Sequence, residues 1–171
     1  AAGLAPEPVH GDSERLMRLA AERSERHRAG GETLNDFLDG FDLLQRHRRD
    51  ELHIDIPVIV SNHDTCASWA ELFKIPFAVY PVTKETKPQQ EQQVLALLKE
   101  HRVELVVMAR YMQILTAEFL VQVGCPVINI HHSFLPAFIG ANPYRQAYDR
   151  GVKIIGTTAH YATQDLDEGP I

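Results

Sequence analysis

The chain lacks the features that mark several large protein classes. None of its apolar runs approaches the roughly 18 residues that a membrane-spanning helix needs. It has two cysteines, Cys66 and Cys125, too few for a disulfide framework. Both read as buried or half-buried thiols, and no nucleophile motif surrounds Cys66. Its first residues, Ala1 to Pro6, show no charged-then-apolar leader, so a soluble, cytoplasmic protein is the expectation. Positive charge is short as well. Seventeen Lys and Arg stand against 23 Asp and Glu, for a net charge of −6. Proteins that hold nucleic acid cluster cations to neutralise phosphates, so nucleic acid is not an expected partner. There is no G-x-S-x-G elbow, no Walker loop and no G-x-G-x-x-G turn. That removes support for serine-hydrolase, nucleotidase and dinucleotide readings. His63, His131, His132 and His160, with Asp64 and Asp167, could ligate a metal in principle, but no two histidines share the H-x-x-x-H spacing of a helical pair. No metal is expected.

What remains is ordinary globular material, 44% hydrophobic and 23% charged, suited to one domain with a buried core. From Asp12 to Arg28 a charged stretch with a thin Leu16, Leu19, Ala20 stripe predicts a surface helix or tail. Apolar residues at three-to-four spacing, including Leu34, Phe37, Phe41 and Leu44, predict a helix over about 33–51. Short apolar runs then alternate with helical stretches. Strands are expected at Ile56–Val60, Pro76–Tyr80, Leu105–Ala109, Val127–Ile130 and Ile154–Ala159, the first and third covered on both faces. Helices are expected at Ala67–Phe73, from Pro88 to His101, and from the Asn142-Pro143 cap to Arg150. Alternation of this kind predicts an α/β, doubly wound, mostly parallel sheet whose ligands bind at the carboxyl ends of strands. Asn62, Arg110 and His131 fall at such ends.

The most informative stretch is Asn129-Ile130-His131-His132-Ser133-Phe134-Leu135-Pro136, answered downstream by Leu166-Asp167-Glu168-Gly169-Pro170. In a strand, residues two apart share a face, so Asn129 and His131 project to one side and Ile130 to the other. An amide and an imidazole can donate to a developing oxyanion, an effect of roughly 3 kcal/mol per well-placed donor. A carboxylate such as Asp167 can steady the imidazole or take a proton from water. These are the needs of acyl or formyl transfer to or from nitrogen. Asn129 as a strand-end cap and His131 as a satisfied core histidine is the competing reading.

Ser61-Asn62-His63-Asp64, Pro81-Val82-Thr83-Lys84, Ala109 through Leu115 and Asn129 through Gln146 closely resemble the folate-dependent formyltransferase superfamily. The likeness runs from about Phe41 to Ile171. The block from His131 to Tyr144, with His132 where transferases typically carry another residue, resembles its deformylase branch. The resemblance implies a formyltransferase-like, Rossmann-type fold. It implies hydrolysis of 10-formyltetrahydrofolate by water to formate and tetrahydrofolate, supplying formate for purine biosynthesis and balancing one-carbon pools. Asn129 and His131 would polarise the formyl oxygen and Asp167 would activate water. Arg110, Met112, Gln113, Ile114, Leu115, Leu166, Glu168 and Gly169 would bind the folate, with His132, His160 and Asn62 in support. Folate is then the substrate and no cofactor or metal is expected. A homo-oligomer is compatible. A formyltransferase to an amine such as glycinamide ribonucleotide, or a catalytically silent folate-binding fragment, are the alternatives. The resemblance also implies an opening apolar strand before the helix at Phe41, yet 30–40 carries no Val/Ile run. Residues 1–40 are therefore expected as a divergent helical or mobile segment and 41–171 as the catalytic domain, lacking its first strand and truncated at the C-terminus.

Overall fold

The computed structural model describes residues 32–109, 111–140 and 143–171, with side chains from residue 40 onward. The helix expected over 12–28, Arg110 and Asn142 lie outside the described residues.

The first described element, α1 (Glu32–Arg48), crosses position 40 without a break and ends on Arg46, His47 and Arg48, cations that suit the negative end of a helix. Arg46 anchors that end, donating to Asp42 at 2.8 Å and to Glu51 at 3.4 Å. The Phe41 ring meets Trp69 and Phe73 edge-on, at centroid distances of 5.5 and 5.7 Å, and so docks α1 on α2 (Ala67–Phe73). Between these helices lies β1 (Ile59–Ser61), which pairs in parallel with β2 (Phe77–Val79). Then α3 (Lys87–Glu100), with Pro88 in its first turn, leads to β3 (Val106–Ala109). A short α4 (Ala117–Gln122) is capped by Thr116, whose hydroxyl oxygen accepts the Phe119 N–H at 3.1 Å. Next come β4 (Val127–His131), α5 (Pro143–Asp149) and β5 (Thr158–Tyr161).

The expected α/β alternation and parallel pairing are present, in two sheets: β1 with β2, and β3-β4-β5. Strands β3 and β4 are parallel, whereas β5 runs antiparallel to β4. The buried apolar residues include Val127, Ile128 and Ile130 of β4 together with Phe119, Phe138 and Ala159.

Two expectations need correction. The last strand is displaced: Ile154 and Ile155 are 64% and 44% exposed, and pairing starts at Thr158. Its register ends with His131 opposite Thr158, so residues before 158 have no β4 residue across from them. Strands β1 and β3 are half-buried rather than covered on both faces. Among the described residues each is an edge of its sheet, and no strand joins the two sheets. On α3, the polar Gln90 and Glu91 are buried together with Leu98, and Val94 and Leu97 are half-buried.

Candidate active site

Strand β4 delivers Asn129 and His131 to one face, as period-two geometry requires. The antiparallel partner sets His160 directly opposite Asn129. Asp167 arrives from the segment after β5, with its backbone in the left-handed region at φ +58°. Asp is among the few L residues that tolerate that conformation. Its approach depends on Gly169. A Cβ there would lie 1.7 Å from the Tyr161 carbonyl oxygen, so only a glycine lets this segment lie against β5. The Tyr161 N–H donates to Pro170 O at 2.9 Å and completes that seam.

The four side chains form one cluster. Asp167 Oδ1 lies 3.5 Å from His131 Nδ1 and 3.6 Å from His160 Nε2. Its Oδ2 accepts the Gly140 N–H at 3.0 Å. His160 is 2% exposed, and burial pushes its imidazole below the ordinary value, against the opposing pull of the Tyr161 carbonyl and Asp167. A neutral ring fits its contacts. Nδ1–H donates to the Tyr161 carbonyl at 3.1 Å, which leaves Nε2 to accept from the Asn129 amide at 3.2 Å. The Asn129 carboxamide is thereby oriented, with one N–H left over. On His131, Nε2–H donates to Phe138 O at 3.0 Å, so Nδ1 faces Asp167.

The loop from His132 to Gly140 is tied down around this cluster. Ser133 Oγ donates to Phe138 O at 2.8 Å, and Thr158 Oγ1 donates to Ser133 O at 2.7 Å while accepting the Leu135 N–H at 3.0 Å. Arg150 lies 5.2 Å over the Phe138 ring and donates to Ala137 O at 3.2 Å. His132 is buried on the other side, its ring 6.5 Å from that of Tyr144, and does not join His131.

Of the other residues singled out in the sequence, Met112 and Ile114 stand 72% and 61% exposed with Tyr111, Gln113 and Leu115 half-buried, an alternation that turns an apolar pair outward. Leu166 and Glu168 are exposed on either side of buried Asp167. Gly169 is a packing position by the contact above. Asn62 is not brought to the cluster. Its amide meets the neighbouring His63 at 3.3 Å, at the end of the other sheet. The backbone groups of Phe138 and Gly140 carry no sequence signal, because every non-proline residue offers the same donor and acceptor. Among the described residues no group of three His, Cys, Asp or Glu is placed to hold a metal. A surface cavity of about 620 Å³ at the far ends of α3 and α4, lined by Leu95, Leu98, Lys99, Arg102, Gln122 and Val123 among others, shares no residue with the cluster. No helix among the described residues is long and apolar enough to cross a membrane.

Residues 35–171 match the model of the formyl transferase family. Over 130 residues, 76% of this chain, it is 59% identical to a formyltetrahydrofolate deformylase of Synechocystis sp. and 48% identical to that of Escherichia coli. It covers 45% and 46% of those two proteins, so the chain spans less than half the length of these curated relatives. Among solved structures, a formyltetrahydrofolate deformylase from Pseudomonas syringae pv. tomato is similar with a TM-score of 0.72 and 48% identity, over 76% of this chain and 44% of that one. A phosphoribosylglycinamide formyltransferase from Anaplasma phagocytophilum is similar at a TM-score of 0.68 and 36% identity, over 77% and 64%.

Proposed function

The chain belongs to the formyl transferase family, and from that premise we propose that it hydrolyses 10-formyltetrahydrofolate to formate and tetrahydrofolate. The observation that carries the chemistry is the buried contact of the Asp167 carboxylate with His131, beside an Asn129 amide oriented by His160. The choice of water over an amine as acceptor rests on identity: 59% to a deformylase against 36% to a phosphoribosylglycinamide formyltransferase.

In this reading the formyl oxygen takes the free N–H of Asn129 and competes with the Phe138 carbonyl for His131 Nε2–H. Both donors stabilise negative charge as water adds to the formyl carbon, each worth about 3 kcal/mol where the geometry is met. Asp167 accepts the proton from that water and passes it to the folate nitrogen, so that the C–N bond breaks as the oxyanion collapses to the carbonyl of formic acid, which leaves as formate. Water supplies the oxygen of formate, and no redox partner enters the balance. Met112 and Ile114 provide an apolar wall for the pterin, with Leu166 and Glu168 on the opposite side. Residues 41–171 constitute the catalytic domain, acting in the cytoplasm on a small folate, and the formate released feeds purine synthesis. Self-association is compatible with this scheme and is read by the mass of the particle in solution.

The test omits any amine. The chain is incubated with 10-formyltetrahydrofolate, and formate is measured. Release without acceptor supports hydrolysis. Turnover only after glycinamide ribonucleotide is added replaces it with the transferase reading, which the likeness to the Anaplasma enzyme favours. Tetrahydrofolate binding with neither product leaves a silent folate-binding fragment.

A further inference from the structure

The first turn of α3 carries Lys87, Gln90 and Glu91, positions i, i+3 and i+4 that share one helix face. That face meets the segment from Tyr111 to Thr116 at its beginning, middle and end. Gln90 Nε2 donates to the Tyr111 hydroxyl at 3.3 Å. The Lys87 ammonium donates to the Ile114 carbonyl. Glu91 accepts the Thr116 N–H at 3.1 Å through Oε1 and the Thr116 hydroxyl through Oε2. Lys87 Nζ also lies 4.0 Å from Glu91 Oε1.

Gln90 and Glu91 are 3% and 4% exposed. A carboxylate withdrawn from water is costly unless its acceptor sites are filled, and here they are filled by the segment it touches. The segment is thus pinned by polar contacts in addition to the half-buried Tyr111 and Leu115. Its alternation leaves Met112 and Ile114 outward, at 72% and 61% exposure. A single exposed hydrophobe is common on a protein surface, but two held outward on a pinned extended segment form a platform with no partner among the described residues. Thr116 couples the same contact to α4, because the hydroxyl that donates to Glu91 also accepts the Phe119 N–H.

We propose that Glu91, assisted by Lys87, is a positioning residue that holds Met112 and Ile114 outward as a preformed platform for the flat ring of the substrate. This rests on the folate reading above and adds to it the residues that set folate affinity. A preformed surface spends less binding energy on ordering itself, so loosening it raises KM more than it lowers kcat. Neither side chain touches the cluster of Asn129, His131, His160 and Asp167 in any described contact.

The experiment compares the unaltered chain with Glu91→Ala, Glu91→Gln and Lys87→Met. Glu91→Ala is expected to raise KM for 10-formyltetrahydrofolate about tenfold, with kcat changed by about twofold or less. Glu91→Gln falls between, since its amide oxygen still accepts the Thr116 N–H while the negative charge facing Lys87 is gone. A merely structural clasp behaves otherwise: the active fraction and melting temperature fall, kcat drops and KM stays put. That outcome overturns the proposal. A second arm needs no ligand. Hydrogen exchange at the amides of 112–116 is expected to accelerate in Glu91→Ala while β4 keeps its protection, and unchanged exchange there also overturns the proposal. If the unaltered chain neither binds nor turns over the folate, the functional reading fails separately, and the exchange arm still decides whether Glu91 shapes this segment.

Discussion

Strand β4 and strand β1 both end a hydrophobic run with polar residues, yet only β4 builds a cluster. β4 has a neighbour on each side and buries Val127, Ile128 and Ile130, whereas β1 has one neighbour among the described residues and none of its three residues is buried. A strand paired on both edges has its backbone fixed from two directions, so side chains at its end stay where a reaction needs them. Asn129 and His131 benefit from this, held between β3 and β5. Asn62, one residue beyond β1, turns to its own neighbour. Similar polar strand ends thus acquire different uses from the pairing around them.

The sharpest way to break this comparison is through turnover. His131→Ala and Asp167→Asn are each expected to lower formate release by roughly 10²-fold or more, the scale of one lost acid–base group or oxyanion donor. Asn62→Ala should stay within about twofold, because its side chain reaches none of the cluster. Equal losses at both strand ends would erase the distinction. Stability separates the two sheets next. Gly169→Ala forces a methyl group into the Tyr161 carbonyl and should cost on the order of 3 kcal/mol or more in denaturant unfolding, with loss of activity as Asp167 is displaced. Unchanged stability in the Gly169→Ala variant would show that the seam with β5 is looser than this contact requires. Within the sheets, Ile128→Ala should cost roughly 2–5 kcal/mol, and Ile59→Ala in half-buried β1 distinctly less. Comparable values would mean that β1 is as well covered as β4.

The smallest effect is a pH dependence. Folding holds His160 below its ordinary pKa of 6.5 through burial, so the unfolded chain binds a proton there that the folded chain resists. Its contribution to stability is complete above pH 6.5 and declines as the pH falls toward the folded-state pKa. A melting temperature followed from pH 7.5 down to 5 should fall less steeply in His160→Gln than in the unaltered chain. Parallel curves would mean that His160 is not held neutral.

Much of this was legible along the chain. Ala67–Phe73 is readable from its apolar spacing and the helix after Pro88 from the proline in its first turn, because both are local properties. Asn129, His131 and Asp167 stand out because chemistry demands those residue types, and the strand period puts the first two on one face. What the sequence hid is whatever depends on partners across space. The position of β5 is fixed by its register with β4, not by the apolar Ile154-Ile155 pair that drew the strand four residues too early. His160 opposite Asn129 is a cross-strand fact. Glu91 looks like any charged helix residue until the Thr116 amide and hydroxyl are found against it. The one available signal was that Lys87, Gln90 and Glu91 interrupt the face that Val94 and Leu98 continue.

The left-handed backbone at Asp167 has a genetic consequence. Two demands meet in that residue, a negative charge and a positive φ, and Asp and Asn are the side chains that best accept the second. Their codons differ by a single base, since GAT or GAC becomes AAT or AAC. If Asp167 acts as proposed, the commonest kind of mutation would therefore silence the chemistry at this position while keeping the turn, leaving a folded protein that would still compete for folate. Loss of activity here need not look like loss of protein.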